Sequence, residues 1–452
     1  MRSGRALSHP GPACLRFLRR EAGQQAARLP WILACRTRRR RRKGCPAHSG
    51  QVAEGPIAEA LKAAIRLAKN QERRLRSGHP WVFSNEIESI EDGLGTGDEV
   101  VVLDHRGQPI GVGLYNPHSL IAVRLYARHV RPINADLVRD RIEVAQALRR
   151  RVLPVEVTYR LIHGEGDFLP GLVVDRYGDY LCVQSLTAGI EQRIEWILEL
   201  LEEVLRPAGI LCRRDSQART LEGLPLLEPL ERGRVPDTVE APYEGLVLLS
   251  DLRHGQKTGE FLDQRENRKR VALEAFGREV LGLYCYTGLF SLHCCMAGAT
   301  SMLGIDSSAP AIERARANAE RNAPGRKLEF RVEEVERALE RLGREEARFD
   351  MILLDPPALV RSRKALTEGA RKYVAINSAA LQLLKPGGTL ATATCSHHVD
   401  AAGFLEILRA AAKHARTELR LVEVLGQSRD HPVLLAARET SYLTMVIAER
   451  IR

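Results

Sequence analysis

The chain has no run of about 18 apolar residues, so no membrane-spanning helix is expected among its 452 residues. A disulfide framework is also missing. The nine cysteines, Cys14, Cys35, Cys45, Cys182, Cys212, Cys285, Cys294, Cys295 and Cys395, are odd in number and lack framework spacing, which favours a reducing, cytoplasmic setting. No repeat with a period of about 20–50 residues is present, which excludes solenoids and propellers. Basic charge is scarce outside the first fifty residues. Those carry twelve Arg and one Lys against one Glu, a net +12, while the whole chain is +11, so residues 51–452 sum to −1. Any nucleic-acid footprint must therefore be a local patch, with Arg73, Arg74 and Arg76 or Arg361, Arg363 and Lys364 as candidates. No metal site is expected. His397 and His398 stand beside Cys395, but adjacent side chains rarely converge on one ion, and no second Cys or acid lies at ligand spacing.

What is present is length enough for several domains, since a single core rarely exceeds about 250–300 residues. The expected division is a basic tail over 1–58, a small β-rich domain over 59–131, a central α+β domain over 132–248 and an α/β domain over 249–452. Pro132 and the prolines from Pro207 to Pro242 mark the irregular connections.

Chemistry concentrates in the last division. Phe349 through Leu354 rise as an apolar run into Asp355-Pro356-Pro357, which reads as a buried parallel strand delivering a carboxylate and a stiff loop at its carboxyl end. Gly388 through Cys395 repeats that design with a thiol. Upstream, Val280 through Ser291 reads as a strand and a turn containing Tyr286, Thr287 and Gly288 before a helix. A second strand then ends in Asp306-Ser307-Ser308. That is the layout for holding a ribose diol, with Asp306 as a two-oxygen acceptor. Only Gly282 and Gly288 punctuate the turn region, so the dinucleotide fingerprint is absent, and a ligand with adenosine but no phosphate, S-adenosyl-L-methionine, fits better. Leu328 through Glu334 reads as a third strand whose terminal acids face either an adenine or solvent. Lys257 through Arg265 has the composition of an ordinary helix start.

These residues resemble the ribosomal RNA large subunit methyltransferase I family, bacterial enzymes that form 5-methylcytosine in 23S rRNA. The likeness rests on six ordered matches: Lys-Thr-Gly-x-Phe-x-Asp-Gln-Arg at 257–265, Tyr-Thr-Gly at 286–288, Asp-x-Ser at 306–308, Asp-Pro-Pro at 355–357, Thr-Cys-Ser at 394–396 and Asp-His-Pro at 430–432. Upstream, Arg76 through Ile87 and Gly111 through Pro117 are similar to an RNA-binding PUA domain, and Leu161 through Tyr177 to the family's central domain. The resemblance, covering about residues 60–452, implies a Rossmann-like class I methyltransferase domain at the C-terminus, preceded by a small β-rich PUA-like domain and a central α+β domain. It implies S-adenosyl-L-methionine as cofactor, held by Lys257, Gln264, Arg265, Tyr286, Thr287, Gly288, Asp306, Ser307, Glu334 and Asp355, and RNA rather than DNA or membrane as partner. A homodimer is an analogy without independent support in the sequence. Three departures stand out: Glu334 where the family usually has Asp, Ala358 where a Lys is frequent, and the pair His397-His398.

Cytosine C5 is too weak a nucleophile to take a methyl group unless a nucleophile first adds at C6. Cys395 is the expected nucleophile and Asp355 the expected partner of N3. The base that removes the C5 proton is open between His397, His398, Asp355 and water. Two rival readings remain: methylation of a ring or exocyclic nitrogen, such as guanine N7 or adenine N6, which needs no cysteine, and a non-catalytic RNA-binding assembly factor. The Arg-rich, acid-poor tail is expected to be disordered. It reads as a transit peptide, an RNA-binding arm, or a start codon assigned too early in a GC-rich genome, the last being expected because nothing in the tail matches the family.

Overall fold

A computed structural model describes residues 63–360 and 362–452, so the tail expected over 1–58 and Arg361 of the second basic patch lie outside the described residues. Six short strands come first: β1 (Ala64–Leu67), β2 (Trp81–Val82), β3 (Ile87–Ile90), β4 (Glu99–Leu103), β5 (Pro109–Tyr115) and β6 (Val123–Ala127), ordered β2-β6-β5-β4-β1-β3. Alternation along β1 and β4 turns Ile65, Leu67, Val100 and Val102 inward onto Val82, Val123 and Leu125. Helix α1 (Glu72–Arg76) adds Leu75 to this core. Two arginines of the first basic patch are already paired here, Arg74 with Glu86 and Arg76 with Asp104, each at 2.7 Å.

The middle of the chain forms a second sheet from β7 (Thr158–His163), β8 (Leu172–Tyr177), β9 (Tyr180–Ser185), β10 (Gly209–Arg214) and β11 (Leu227–Gly233), ordered β11-β10-β9-β8-β7. It is covered by α2 (Ala135–Val152), α3 (Ala188–Glu191) and α4 (Ile194–Leu205), whose inward residues Leu137, Ile142, Ile197 and Leu201 share its core. Asn134 caps α2 by accepting from the Leu137 amide at 3.1 Å. A hairpin of β12 (Val239–Tyr243) and β13 (Leu246–Ser250) follows.

The third sheet has seven strands: β14 (Glu279–Leu283), β15 (Ser301–Asp306), β16 (Leu328–Val332), β17 (Phe349–Leu354), β18 (Leu384–Thr394), β19 (Leu419–Leu425) and β20 (Thr444–Arg450), ordered β16-β15-β14-β17-β18-β20-β19. Its helices are α5 (Arg265–Ala272), α6 (Leu289–Met296), α7 (Ala309–Asn322), α8 (Val335–Arg344), α9 (Leu366–Leu383) and α10 (Ala401–His414). The pairs from β16 to β18 are parallel, and β20 runs antiparallel to both its neighbours. The order reverses between β14 and β17, which opens a crevice beyond their carboxyl ends. Register puts those ends level: Leu283 lies opposite both Ile305 and Leu354, and Leu354 opposite Thr392.

Two strands depart from the sequence reading. β18 begins at Leu384 rather than Gly388, with a register shift that leaves Lys385 to Gly388 as an irregularity in which Gly387 takes φ +77°. β16 stops at Val332, because Glu334 takes the N-cap position of α8 and its carbonyl accepts from the Ala338 amide at 2.9 Å.

Candidate active site

The level strand ends carry Tyr284, Asp306, Asp355 and Cys395 onto one shelf. Behind β14 the backbone turns sharply, with Tyr284 at φ +58° and Tyr286 at φ +48°, conformations that cost a side-chain-bearing residue about 1–3 kcal/mol each. Gly288 follows at φ +78°, and a Cβ there would lie 2.7 Å from the Phe330 ring and 3.0 Å from Ala315. Glycine is thus required both by conformation and by the close approach of β16 and α7. Asp306 Oδ2 accepts from the Tyr286 amide at 2.9 Å and Oδ1 from the Ser308 amide at 3.0 Å, which aims the carboxylate at the turn. Ser308 in turn caps α7, while Ser307 is exposed. At the adenine side the two acids divide. Glu333 is held by Arg341 at 2.8 and 3.0 Å, whereas Glu334 is exposed beside Tyr284, so Glu334 is the acid open to a ligand.

One cavity joins this shelf to the segment before α5. Its wall includes Lys257, Asp263, Gln264, Tyr286, Asp355 and Cys395. Gln264 Nε2 donates to both oxygens of Asp355 at 3.1 Å, and its Oε1 accepts from Asn267 at 2.6 Å. Lys257 Nζ pairs with Asp263 Oδ2 at 3.1 Å, and the same oxygen accepts from the Tyr442 hydroxyl at 2.7 Å. Arg265 is the exception. It turns away from the cavity, donates to the Thr158 carbonyl, pairs with Glu156 at 3.2 Å and stacks 4.5 Å from the Tyr243 ring. Its expected cofactor contact is therefore corrected to a structural one: helical spacing points it, one residue after Gln264, into the central domain.

The segment is shaped by that central domain. Thr258 donates its hydroxyl to Asp175, the Glu260 amide donates to the Tyr177 hydroxyl at 3.0 Å, and Gln184 donates to the Lys257 carbonyl at 3.1 Å. Asp430 completes the brace. It is fully buried, accepts from the Arg160 amide at 2.9 Å and from His431 Nδ1 at 2.9 Å, and its carbonyl accepts from Arg149 at 2.7 Å. The Asp-His-Pro segment, for which the sequence suggests no role, is thus a clamp between domains.

Electrostatics distinguish Asp355 from Cys395. Burial, then the nearby Asp263 carboxylate, push Asp355 up to about 7, against Arg268, Lys257 and the Gln264 amide. Asp355 keeps some surface in the cavity, yet protein surrounds it on all other sides. Burial likewise pushes the Cys395 thiol up to about 11, with Lys257 pulling the other way. Asp263 is held far below the carboxylate range: burial opposes its charge, but Lys257, His431 and the Tyr442 hydroxyl outweigh it. Glu260 was missed by sequence reasoning. It is buried under the turn, accepts from the Thr287 hydroxyl at 2.8 Å, leaves Oε1 without a partner, and burial raises it to about 7. Arg268 and Tyr442 were missed too, because neither lies in a run with a legible pattern.

The donor set suits S-adenosyl-L-methionine: a glycine cradle that a Cβ would fill, a carboxylate at the second strand end, and an open acid beyond the third. The comparisons agree. A family profile described as a PUA-like domain matches residues 65–128, and one described as an S-adenosylmethionine-dependent methyltransferase matches residues 210–443. A protein from Streptococcus mutans put forward as such a methyltransferase superposes with a TM-score of 0.74 at 19% identity, covering 85% of this chain and 99% of that one. Another methyltransferase structure, solved with SAH, gives 0.75 at 18% identity over the same shares. The ribosomal RNA large subunit methyltransferase I proteins of Photobacterium profundum and of Vibrio cholerae are each 36% identical over 389 residues, 85% of this chain and 98% of theirs. With the cavity geometry, these likenesses make the chain an S-adenosylmethionine-dependent methyltransferase that belongs to the ribosomal RNA large subunit methyltransferase I family.

Proposed function

We propose that this protein methylates C5 of a cytosine in 23S rRNA in the cytoplasm, with Cys395 adding to C6 and Asp355 serving N3. The reading is carried by one observation: a cysteine and a carboxyl leave the ends of neighbouring strands, the cysteine two residues further out, and share a cavity wall. Family membership and the PUA-like domain favour large-subunit rRNA as the partner.

S-adenosyl-L-methionine supplies an electrophilic methyl group on a sulfonium, and Tyr286, Thr287, Gly288, Asp306 and Glu334 are the residues that would hold it. The Cys395 thiol gives up its proton to solvent, the thiolate sulfur forms a bond to C6, and the displaced electron pair moves through C4 to N3, which takes a proton from Asp355. A carboxyl raised to about 7 is suited to giving and regaining that proton near neutrality. Once C5 carries the methyl, N3 returns its proton to Asp355. Loss of the C5 proton to a base then expels Cys395 and restores the C5–C6 double bond. A paired target base must leave its stack to bring C6 to Cys395.

The test is intact-mass analysis of the protein with cofactor and an rRNA fragment containing 5-fluorocytosine. The wild type should accumulate a covalent RNA adduct that Cys395→Ala cannot form. Continued methylation of ordinary rRNA by Cys395→Ala would overturn the C5 reading in favour of a nitrogen target.

A further inference from the structure

Two cations line the cavity that holds Cys395, and they differ in how fully they are engaged. Arg268 is buried, donates to the Tyr243 hydroxyl and the Phe261 carbonyl at 2.7 Å each, and sits under the turn. Lys257 has a compact ammonium with three donors. Among the described residues it makes one hydrogen bond, to Asp263. Its side chain is 41% exposed. The ammonium is nevertheless placed: it lies 4.5 Å from the Phe261 ring and 5.9 Å from the Tyr442 ring. The Tyr442 ring also faces His397, two residues past the thiol, at 5.4 Å. The Lys257 backbone takes φ +54°, a left-handed conformation that a lysine adopts only when its surroundings impose it. Here the surroundings do, through Gln184 on its carbonyl and Thr258 bound to Asp175. A strained backbone thus delivers one positive charge to the cavity wall.

We propose that Lys257 is the cation that stabilises the Cys395 thiolate, with Asp263 and the rings of Phe261 and Tyr442 holding its ammonium over the cavity. The inference rests on the reading of Cys395 as nucleophile and replaces a cofactor contact as the role of Lys257. The other charged and titratable groups on the thiol's surroundings do not do this work. Asp355 and Asp263 oppose ionisation, Arg268 is committed elsewhere, and His397 is itself held towards neutrality by burial, His398 and Lys257. Burial holds the thiol up at about 11 even with Lys257 beside it, and Lys257 is the first group acting against that rise.

The experiment is the pH dependence of Cys395 alkylation by iodoacetamide in the full chain, followed by peptide mass, for wild type, Lys257→Met and Lys257→Arg. S-adenosylmethionine affinity is measured by calorimetry on the same samples. Lys257→Met should move the midpoint up by about one pH unit and slow alkylation about tenfold at fixed pH below it. Lys257→Arg should recover most of that loss, and cofactor affinity should change less than about threefold in both. An unchanged alkylation profile in Lys257→Met overturns the proposal, as does a loss of cofactor affinity without a change in profile. Cys395→Ala separates the two readings: if that variant still methylates, the nucleophile reading fails. If it is inactive while the Lys257→Met profile matches wild type, only the role of Lys257 fails.

Discussion

The shelf of strand ends and the segment from Lys257 to Arg265 meet in one cavity but are built in opposite ways. The shelf is local. Each of Asp306, Asp355 and Cys395 stands where an apolar strand runs out, and the parallel register alone sets their relative height. The 257–265 segment has no such origin. Its shape comes from Tyr177, Asp175 and Gln184 of the central sheet and from the Asp430 clamp, all distant in sequence. Half of this site is thus carried by its own strands, and half is held in place by residues of the second sheet.

That contrast can be broken most forcefully at Asp430. Replacing it by Ala leaves the buried Arg160 amide and His431 Nδ1 without their acceptor and removes the buried carboxylate beside Arg265, and a loss of about 3–5 kcal/mol is expected in denaturant unfolding. Methyl transfer should fall with it, although Asp430 reaches no part of the cavity. If stability falls while methyl transfer per folded molecule holds, the clamp is not what shapes the segment.

Gly288→Ala tests the shelf by itself. The left-handed backbone and the Phe330 ring leave no room for a methyl, so a destabilisation of about 1–3 kcal/mol and a loss of cofactor affinity of at least about tenfold are expected, read by thermal unfolding and calorimetry. Unchanged affinity would remove the turn from the cofactor site.

The smallest effect sharpens the division between stability and chemistry. The Asp355 carboxyl titrates near 7 in the fold against an ordinary value near 3.8, so the folded protein binds the extra proton. The sign follows: below about pH 4 the group costs nothing, the cost grows as pH rises towards 7, and it is complete above that. Asp355→Asn should therefore match the wild-type Tm near pH 4 and exceed it by a few °C at pH 8 while losing methyl transfer. A Tm difference that does not vary with pH would show that the carboxyl is not raised by its surroundings.

Legibility followed the same line. Buried runs ending in Asp355, Cys395 and Asp306 could be read directly, because parallel strands covered on both faces are continuous apolar stretches whose ends are the only polar exits. Lys257 through Arg265 read as an ordinary helix start, and Arg265 was expected at the cofactor. The direction of each side chain depends on which domain packs against α5, and a linear pattern does not contain that information. Glu260, Arg268 and Tyr442 carried no legible role: their partners Thr287, Tyr243 and Asp263 are distant in sequence.

By itself, then, the sequence determined the order of the elements, the type of the C-terminal sheet and the polar residues at its strand ends, since hydrophobic periodicity and breakers are short-range properties. Only the tertiary structure decided that Gln264 grips Asp355, that Asp430 clamps the central domain, and that burial separates a carboxyl near 7 from a thiol near 11. Desolvation and charge pairing depend on what comes near in space, and residues far apart in the chain supply it.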